Sequence, residues 1–278
     1  MNGTLYVVAT PIGNLEDLAP RARQMLASVD LVAAEDTRHT GRLLSTIGAK
    51  PQQMALHDHN EAQVVSRVIE ALENGKNVAL VSDAGTPLVS DPGFRLVRET
   101  HARKLPVVPV PGPSAVTAAL SVAGLPTDRF CFEGFPPAKT AARREWLQRL
   151  SAERRTIVIY ESVHRVRDCL ADLADILGAD RSAFLGRELT KLHEQCVHAT
   201  LSELRQGLES GGIPEKGEFV LVIAGAPAAP ASAIDVDRLL TELSDRLPAN
   251  EAAKITASVT GLRRNDLYQR LLDLRNEP

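Results

Sequence analysis

Two dense polar runs each close a short apolar run. Glu35-Asp36-Thr37-Arg38-His39-Thr40 follows Leu31 to Ala34, and His57-Asp58-His59-Asn60-Glu61 follows Met54 to Leu56. Carboxylates, imidazoles and a guanidinium gathered at strand ends suit a polar substrate and proton movement. His57, His59 and the neighbouring acids are also potential metal ligands. No spacing in either run specifies a metal geometry, so hydrogen bonding is the preferred reading and no metal is expected.

Three further segments have the composition of ligand-binding loops. Ser82-Asp83-Ala84-Gly85-Thr86-Pro87, extended by Ser90-Asp91-Pro92-Gly93, follows the apolar run Val78 to Val81. Two Asp, two Gly and two Pro within twelve residues make a stiff polar loop. At a strand end such a loop can hold a small ligand by backbone groups and one carboxylate. Thr10-Pro11-Ile12-Gly13-Asn14-Leu15 is a strand-to-helix turn, with Glu35-Asp36 where a dinucleotide fold carries its ribose-binding acid. Pyrophosphate binding is rejected, because Gly13 is the turn's single glycine and Pro11 lacks the N–H that a phosphate cradle uses. Pro111-Gly112-Pro113-Ser114-Ala115 is the third segment. Its small residues let a flat ring lie on the backbone, and Gly112 or Ser114 can cap a following helix.

Charge is uneven. The chain of 278 residues carries a formal charge of −3. Between Pro136 and Arg167, eight bases (Lys139, Arg143, Arg144, Arg149, Arg154, Arg155, Arg165, Arg167) oppose three acids (Glu145, Glu153, Glu161), a surplus of +5. A local surplus of this kind reads either as a contact to a phosphate backbone or as a solvated helix face. Lys139, Arg143, Arg144 and Arg165 are the candidate RNA contacts.

The elements that must position these groups follow from pattern. Short apolar, β-branched runs at Leu5 to Ala9, Leu31 to Ala34, Val78 to Val81, Val107 to Val110, Thr156 to Tyr160 and Phe219 to Ile223 read as buried strands. Helical spacing follows Asn60, an expected cap with Gln63 three residues on, and ends at Gly75. A second stripe covers Val163 to Leu177 and closes at Gly178. The alternation predicts an α/β protein with a largely parallel sheet. Expected boundaries are 1–111 and 112–226 for two α/β domains, 227–234 for an Ala/Pro linker, and 235–278 for a helical module striped by Leu239, Leu240, Leu243 and Leu247. The three cysteines, Cys131, Cys169 and Cys196, lie outside metal spacing and read as buried small hydrophobes in a reducing compartment. No signal peptide or membrane span is seen, so a cytoplasmic protein is expected.

Taken together, in order and at natural spacings from about Gly3 to Gly225, these segments resemble a known family. They are Thr10 to Asp17, Ala34 to Arg38, His57 to Glu61, Ser82 to Pro87, Pro111 to Ser114, Asp128-Arg129-Phe130, Tyr160-Glu161-Ser162 and Arg187-Glu188-Leu189-Thr190-Lys191. The chain is similar to the small-subunit ribosomal RNA methyltransferases of the tetrapyrrole-methylase-like, class III group. The resemblance implies two α/β domains with S-adenosylmethionine in the cleft between them. It also implies 2′-O-methylation of a cytidine in the decoding region of 16S rRNA by a homodimer, with either free RNA or the small ribosomal subunit as the substrate. The cofactor-contacting positions it implies are Pro11, Gly13, Asp83, Ala84, Gly85, Thr86, Pro87, Ser114, Ala115, Tyr160 and Leu189. For methyl transfer to a weakly acidic hydroxyl, Asp36, His57, His59 and Glu188 are candidate bases. Arg38 and Lys191 are candidates to hold phosphate or to stabilise the oxygen. A tetrapyrrole C-methyltransferase of the same fold is the alternative. A non-enzymatic RNA-binding module centred on the helix-turn-helix-like stretch Ala252 to Leu262 is the other. The basic segment and Arg263 and Arg264 favour RNA over a porphyrinoid. The balance of seven bases to eight acids over Asp235 to Pro278 argues against the bare module.

Overall fold

The computed structural model describes residues 2–57, 60–227 and 235–276, and the chain divides into two compact units, 1–225 and 226–278. His59 and most of the expected linker lie outside the described residues.

The larger unit begins with five strands: β1 (Leu5–Val8), β2 (Leu31–Ala34), β3 (Gln52–Ala55), β4 (Val78–Val81) and β5 (Val107–Val110). They form a wholly parallel sheet in the order β3-β2-β4-β1-β5, with Leu5 opposite both Val78 and Val107. Every residue of β2 and β4 is buried, as expected of strands covered on both faces. Helices α1 (Pro20–Ser28), α2 (Thr37–Thr46), α3 (Glu61–Glu73) and α4 (Phe94–Ala102) provide that cover. Leu31, Ala33, Val78 and Leu80 meet Val64, Val68, Leu72 and Leu96 of α3 and α4. The alternate residues Val32, Ala34, Ala79 and Val81 meet Ala22, Leu26, Leu43 and Leu44 of α1 and α2. The period of two along the strands thus divides one sheet between two cores.

Asn60 stands at the N-terminus of α3, but its side chain does not cap the helix. Its Oδ1 accepts the His57 N–H and its Nδ2 donates to the Ala55 carbonyl, so it braces the preceding turn instead. Gly75 ends the segment at φ +82°.

After α5 (Ala115–Val122) come β6 (Phe130–Phe132), α6 (Thr140–Leu150), β7 (Thr156–Ser162), α7 (Val166–Leu177), β8 (Ser182–Arg187), β9 (Gln195–Thr200), α8 (Leu201–Glu209) and β10 (Glu218–Ile223). Their sheet runs β6-β7-β10-β8-β9, and the β6–β7 pair alone is parallel. The expected largely parallel sheet therefore holds for the first five strands and fails here. Residues 188–194 between β8 and β9 are too few for a crossover, which leaves an antiparallel return as the available pairing. One face of this sheet, Ile157, Ile159, Leu185 and Leu221, packs under α6, α7 and α8. The other face, Val158, Phe184, Val220 and Val222, packs on Val116, Ala119 and Leu120 of α5 and on Ile12. Helix α7 starts at Val166 rather than Val163, because the Arg165 N–H closes a turn on the Ser162 carbonyl. Cys131 and Cys169 are buried as expected, but Cys196 is exposed, being on the edge strand β9.

The smaller unit contains α9 (Val236–Ser244), α10 (Ala249–Thr260) and α11 (Arg264–Asn276) around Leu240, Ala252, Ala253, Leu267 and Leu271. Asp235 caps α9 by accepting the Arg238 N–H, and Gly261 ends α10 in the left-handed conformation. Leu247 of the leucine stripe lies beyond the end of α9. Among the described residues no helix is long and apolar enough to cross a membrane.

The basic segment is largely spent inside the fold. Arg143 is buried, with Nε 2.7 Å from the Asp172 carboxylate, and Arg144 meets Asp172 at 2.6 Å and Asp175 at 3.2 Å. Arg165 pairs with Glu161 at 2.9 Å and donates to the Pro136 carbonyl. Arg155 and Arg167 pair with Glu153 and Glu215. Arg143 is thus buried in tying α6 to α7, which corrects its reading as a phosphate contact, whereas Arg144, though paired, stays partly exposed. Lys139 is exposed and, among the described residues, makes no ion pair. Removing one partner of a buried ion pair strands the other, so Arg143→Ala should cost about 3–5 kcal/mol in urea unfolding. Lys139→Ala should stay within about 0.5 kcal/mol of the parent.

Candidate active site

In a parallel sheet the loops leaving the strand C-termini line a crevice. Here three of them are tied together by hydrogen bonds. Beyond β1, the Thr10 N–H donates to the Gly85 carbonyl (2.8 Å) and the Gly85 N–H to the Thr10 carbonyl (3.1 Å). The Thr10 hydroxyl donates to the Ser82 carbonyl, and the Thr86 hydroxyl to the Pro113 carbonyl. The turn after β1, the loop after β4 and the entry to α5 are therefore linked to one another. Facing them are the end of β7, the turn after β8 and the start of β10. A pocket of about 400 Å³ lies between the two sets, within the range that small-ligand sites occupy.

The pocket gathers most of the residues singled out for the cofactor. Asp83, Ala84, Gly85 and Thr86, then Ser114 and Ala115, then Tyr160 and Leu189 all line it. Pro11, Gly13 and Pro87 do not. Pro87 is buried behind its loop. Gly13 faces the turn after β8, where a Cβ would stand 2.4 Å from Lys191 Cγ and 2.9 Å from the Thr190 hydroxyl. Its lack of a side chain permits that close approach. Asp83, read as the loop's ligand-anchoring carboxylate, accepts the Asp36 N–H at 3.0 Å and so also braces the end of β2. Ser114 precedes α5, but its side chain makes no capping bond.

Backbone strain concentrates around this pocket. Among the described residues, five non-glycine positions have positive φ, and four of them flank the site: Leu88 (+73°) and Ser90 (+68°) in the β4 loop, Glu188 (+51°) and Thr190 (+66°) after β8. Such conformations persist only where the surroundings impose them, and they cluster at functional loops. Gly93 (φ +122°) closes the β4 loop against Leu80, leaving no room for a Cβ.

The candidate catalytic residues are dispersed. The Asp36 carboxylate caps α2 through the Arg38 N–H (2.7 Å) and pairs with the Arg38 guanidinium (2.8 Å). Those two bonds, the guanidinium's first, hold its carboxyl far below the usual range, which makes it a weak base. The Arg38 side chain is 87% exposed. His57 is exposed and lies outside the pocket lining. Glu188 and Lys191 are also outside the pocket lining, but they flank the lining residue Leu189, and Lys191 reaches the lining residue Glu218. Lys191 Nζ lies 2.8 Å from Glu188 and 3.0 Å from Glu218. Burial pushes the Glu188 carboxyl up, but Lys191 and the Glu218 N–H outweigh it and the net shift is downward. Burial lowers the Lys191 ammonium, but its two carboxylate partners raise it overall, so it stays charged. Gly217 (φ +87°) lies flat on the Glu188 side chain, where a Cβ would approach within 2.3 Å.

Several lining residues carry no role assigned from sequence: Glu35, Asp91, Phe135 and Glu218. Glu35 and Asp91 sit in segments singled out for their density of polar groups. Glu218 has no sequence signal, since it arrives through the antiparallel register that sets it opposite Ser162. Tyr160 is held edge-on between Phe132 (4.8 Å) and Phe135 (5.5 Å). Burial first, and then the nearby Asp91, push its phenol up to about 12. Asp91 is partly buried and, among the described residues, in no ion pair. Burial raises its carboxyl to about 6, against the Ser82 hydroxyl and with help from Asp83. Among the described residues no group of three or more potential ligands could hold a metal ion.

A parallel sheet, a mixed sheet and a pocket built by their facing loops define the tetrapyrrole methylase class. Residues 4–205 match the tetrapyrrole (corrin/porphyrin) methylases, and residues 230–275 match the RsmI C-terminal HTH domain. The fold is shared with cobalt precorrin-4 methyltransferase (TM-score 0.59, 18% identity, 79% of this chain and 94% of that one). It is shared too with uroporphyrin-III C-methyltransferase from Thermus thermophilus complexed with S-adenyl homocysteine (TM-score 0.55, 18% identity, 80% and 97%). The chain belongs to the ribosomal RNA small subunit methyltransferase I family. Members from Xylella fastidiosa (strain Temecula1) and Pseudomonas aeruginosa are each 50% identical to it, over 96% and 97% of this chain and 98% and 97% of theirs. The Escherichia coli O157:H7 member is 48% identical over 98% of this chain and 95% of its own.

The Asp91 carboxyl binds its proton more tightly in the fold than the ordinary carboxyl at 3.8 does. The folded state therefore holds more protons than the unfolded state between those values, and stability falls as pH rises from about 4 to about 6. Asp91→Asn removes that loss. Discounted for partial exposure, the gain should be about 1 kcal/mol, or about 2–4 °C in melting temperature at pH 7.5. It should vanish near pH 4, as calorimetric scans across pH would show.

Proposed function

We propose that the pocket binds S-adenosylmethionine and that the chain methylates the ribose 2′-oxygen of a cytidine in the decoding region of 16S rRNA. The substrate is taken within the small subunit, and the chain acts as a homodimer. The observation that carries this reading is the convergence on one pocket of Asp83 to Thr86, Ser114, Ala115, Tyr160 and Leu189, in a chain half identical to relatives named for small-subunit rRNA methylation. The residues present fit the cofactor. Ile12, Val89, Leu189 and Val220 offer apolar walls to a purine, small residues and backbone at Ala84, Gly85 and Ala115 admit a flat ring, and carboxylates offer partners to its positive charges.

When bound, the cofactor supplies a methyl group on a positively charged sulfur, already a good leaving group. What remains for the protein is to orient the ribose hydroxyl, exclude water and stabilise charge developing on the oxygen. Lys191 is placed to stabilise that charge. It is cationic, reaches the lining residue Glu218, and is fixed by Glu188, Glu218 and the flat surface of Gly13. Glu188 acts by positioning Lys191. Asp36 serves as cap and partner to Arg38, and Arg38, with its exposed guanidinium, grips phosphate, as does Lys139. Leu192, 92% exposed beside this turn, supports a partner surface for the second copy.

The test is to incubate the protein with labelled S-adenosylmethionine and small subunits from cells lacking the activity, then map the modified nucleotide. Label on a 2′-oxygen of 16S rRNA is the expected outcome. Label on a supplied porphyrinoid and none on RNA would replace this reading with the tetrapyrrole one. Lys191→Met should lower the single-turnover rate roughly a hundredfold while leaving RNA affinity near the parent's. Arg38→Ala should do the reverse, weakening RNA binding in a salt-dependent way at little cost to the saturated rate.

A further inference from the structure

The pocket's charge is one-sided. Glu35, Asp83, Asp91, Glu161 and Glu218 line it, and no lysine or arginine is among the lining residues. Most of these carboxylates have partners of their own. Glu161 pairs with Arg165, Glu218 with Lys191, and Asp83 accepts the Asp36 N–H. Asp91 differs. Among the described residues it forms no ion pair, and its polar neighbours are the Ser82 hydroxyl and the like-charged Asp83. Its backbone is nonetheless held firmly, between Ser90 at φ +68° and Gly93 packed on Leu80. A partly desolvated carboxylate, held in a ligand pocket without a cation, is set to receive its counter-charge from the ligand.

Resting on the cofactor reading above, we propose that Asp91 is the residue by which the pocket tells the methyl donor from the spent product. The donor's sulfur is a sulfonium cation, and after methyl transfer it is a neutral thioether. The rest of the two molecules, including the α-amino and carboxylate groups, is the same. A carboxylate directed at the sulfur therefore favours the donor and loses its hold once the methyl has left, so it promotes product release. A contact to the amino group would favour both molecules equally.

The other groups facing Asp91 leave this signal readable. Tyr160 on β7, with its raised phenol, stays neutral across the working range. Ser114 and Ala115 at the entry to α5 do not titrate, and Asp83, Glu35, Glu161 and Glu218 are the other acids of the lining. With a free-state value of about 6 for Asp91, donor affinity should be full above that pH. Below it, affinity should drop by up to about tenfold per pH unit as the carboxyl takes a proton.

The experiment is calorimetric titration of the full chain with S-adenosylmethionine and with S-adenosylhomocysteine, at pH 7.5 and pH 5.0, for the parent, Asp91→Asn and Asp91→Glu. In the parent, the donor should bind more tightly than the product at pH 7.5, and roughly tenfold of that preference should disappear at pH 5.0. Asp91→Asn should weaken the donor roughly tenfold at pH 7.5 and leave the product within about twofold, with no further change at pH 5.0. Asp91→Glu, which keeps the charge, should keep part of the preference. Thermal melts of each variant check the fold. Equal weakening of both ligands by Asp91→Asn, or no weakening of either, would overturn the proposal while leaving the cofactor reading standing. If the parent binds neither molecule, the cofactor reading falls and the proposal with it.

Discussion

The site depends on one packing arrangement: Ile12 and the apolar face of α5 seated on Val158, Phe184, Val220 and Val222 of the mixed sheet. Ile12 belongs to the turn after β1, and α5 follows directly on β5, so both carry the geometry of the parallel sheet. Buried side chains of this size each contribute about 1.5–3 kcal/mol by leaving water. Because protein interiors pack closely, their shapes also fix where the second sheet lies. The pocket is the space left beside this cluster, and its two walls are in register because the cluster has no freedom to slide.

Around that contact the backbone is drawn unusually close. The paired bonds between Thr10 and Gly85 join two loops, Gly13 lies on Lys191, and Gly217 lies on Glu188. Each approach needs a glycine for a local steric reason. The strained residues Leu88 and Ser90 lie in the loop after β4, and Glu188 and Thr190 in the turn after β8. The energy stored there is offset by the cores on either side, and the result is a set of side chains held before any ligand arrives.

Charge is distributed by the same logic. The fold uses its arginines internally: Arg143 and Arg144 join α6 to α7 through Asp172, and Arg165 neutralises the buried Glu161. That accounts for a segment with a surplus of +5 in sequence that presents few unpaired cations. The pocket instead collects acids. Lys191, bonded to the lining residue Glu218, is kept cationic by two carboxylates.

The parallel half of the fold is legible in the amino-acid order, because short buried β-branched runs alternating with helical stripes admit few other arrangements. So are the stiff loop after β4 and the small residues at Ser114 and Ala115, since Gly, Pro, Ser and Asp encode conformation locally. The mixed sheet was not legible as such: strand runs mark burial, whereas direction depends on how many residues connect them and on which neighbour is free. The true state of each charge was equally hidden. Arg143 looks like a surface base until α7 brings Asp172 to it, and Asp36 looks like a base until it is seen capping α2. Glu218 enters the pocket through a register set by β7, and Asp91 gains its unusual proton affinity from partial burial beside Asp83. Conformation along a few residues is a local property that composition records. Desolvation, ion pairing and the meeting of loops from two sheets are properties of distance in space, and they arise once the chain is folded.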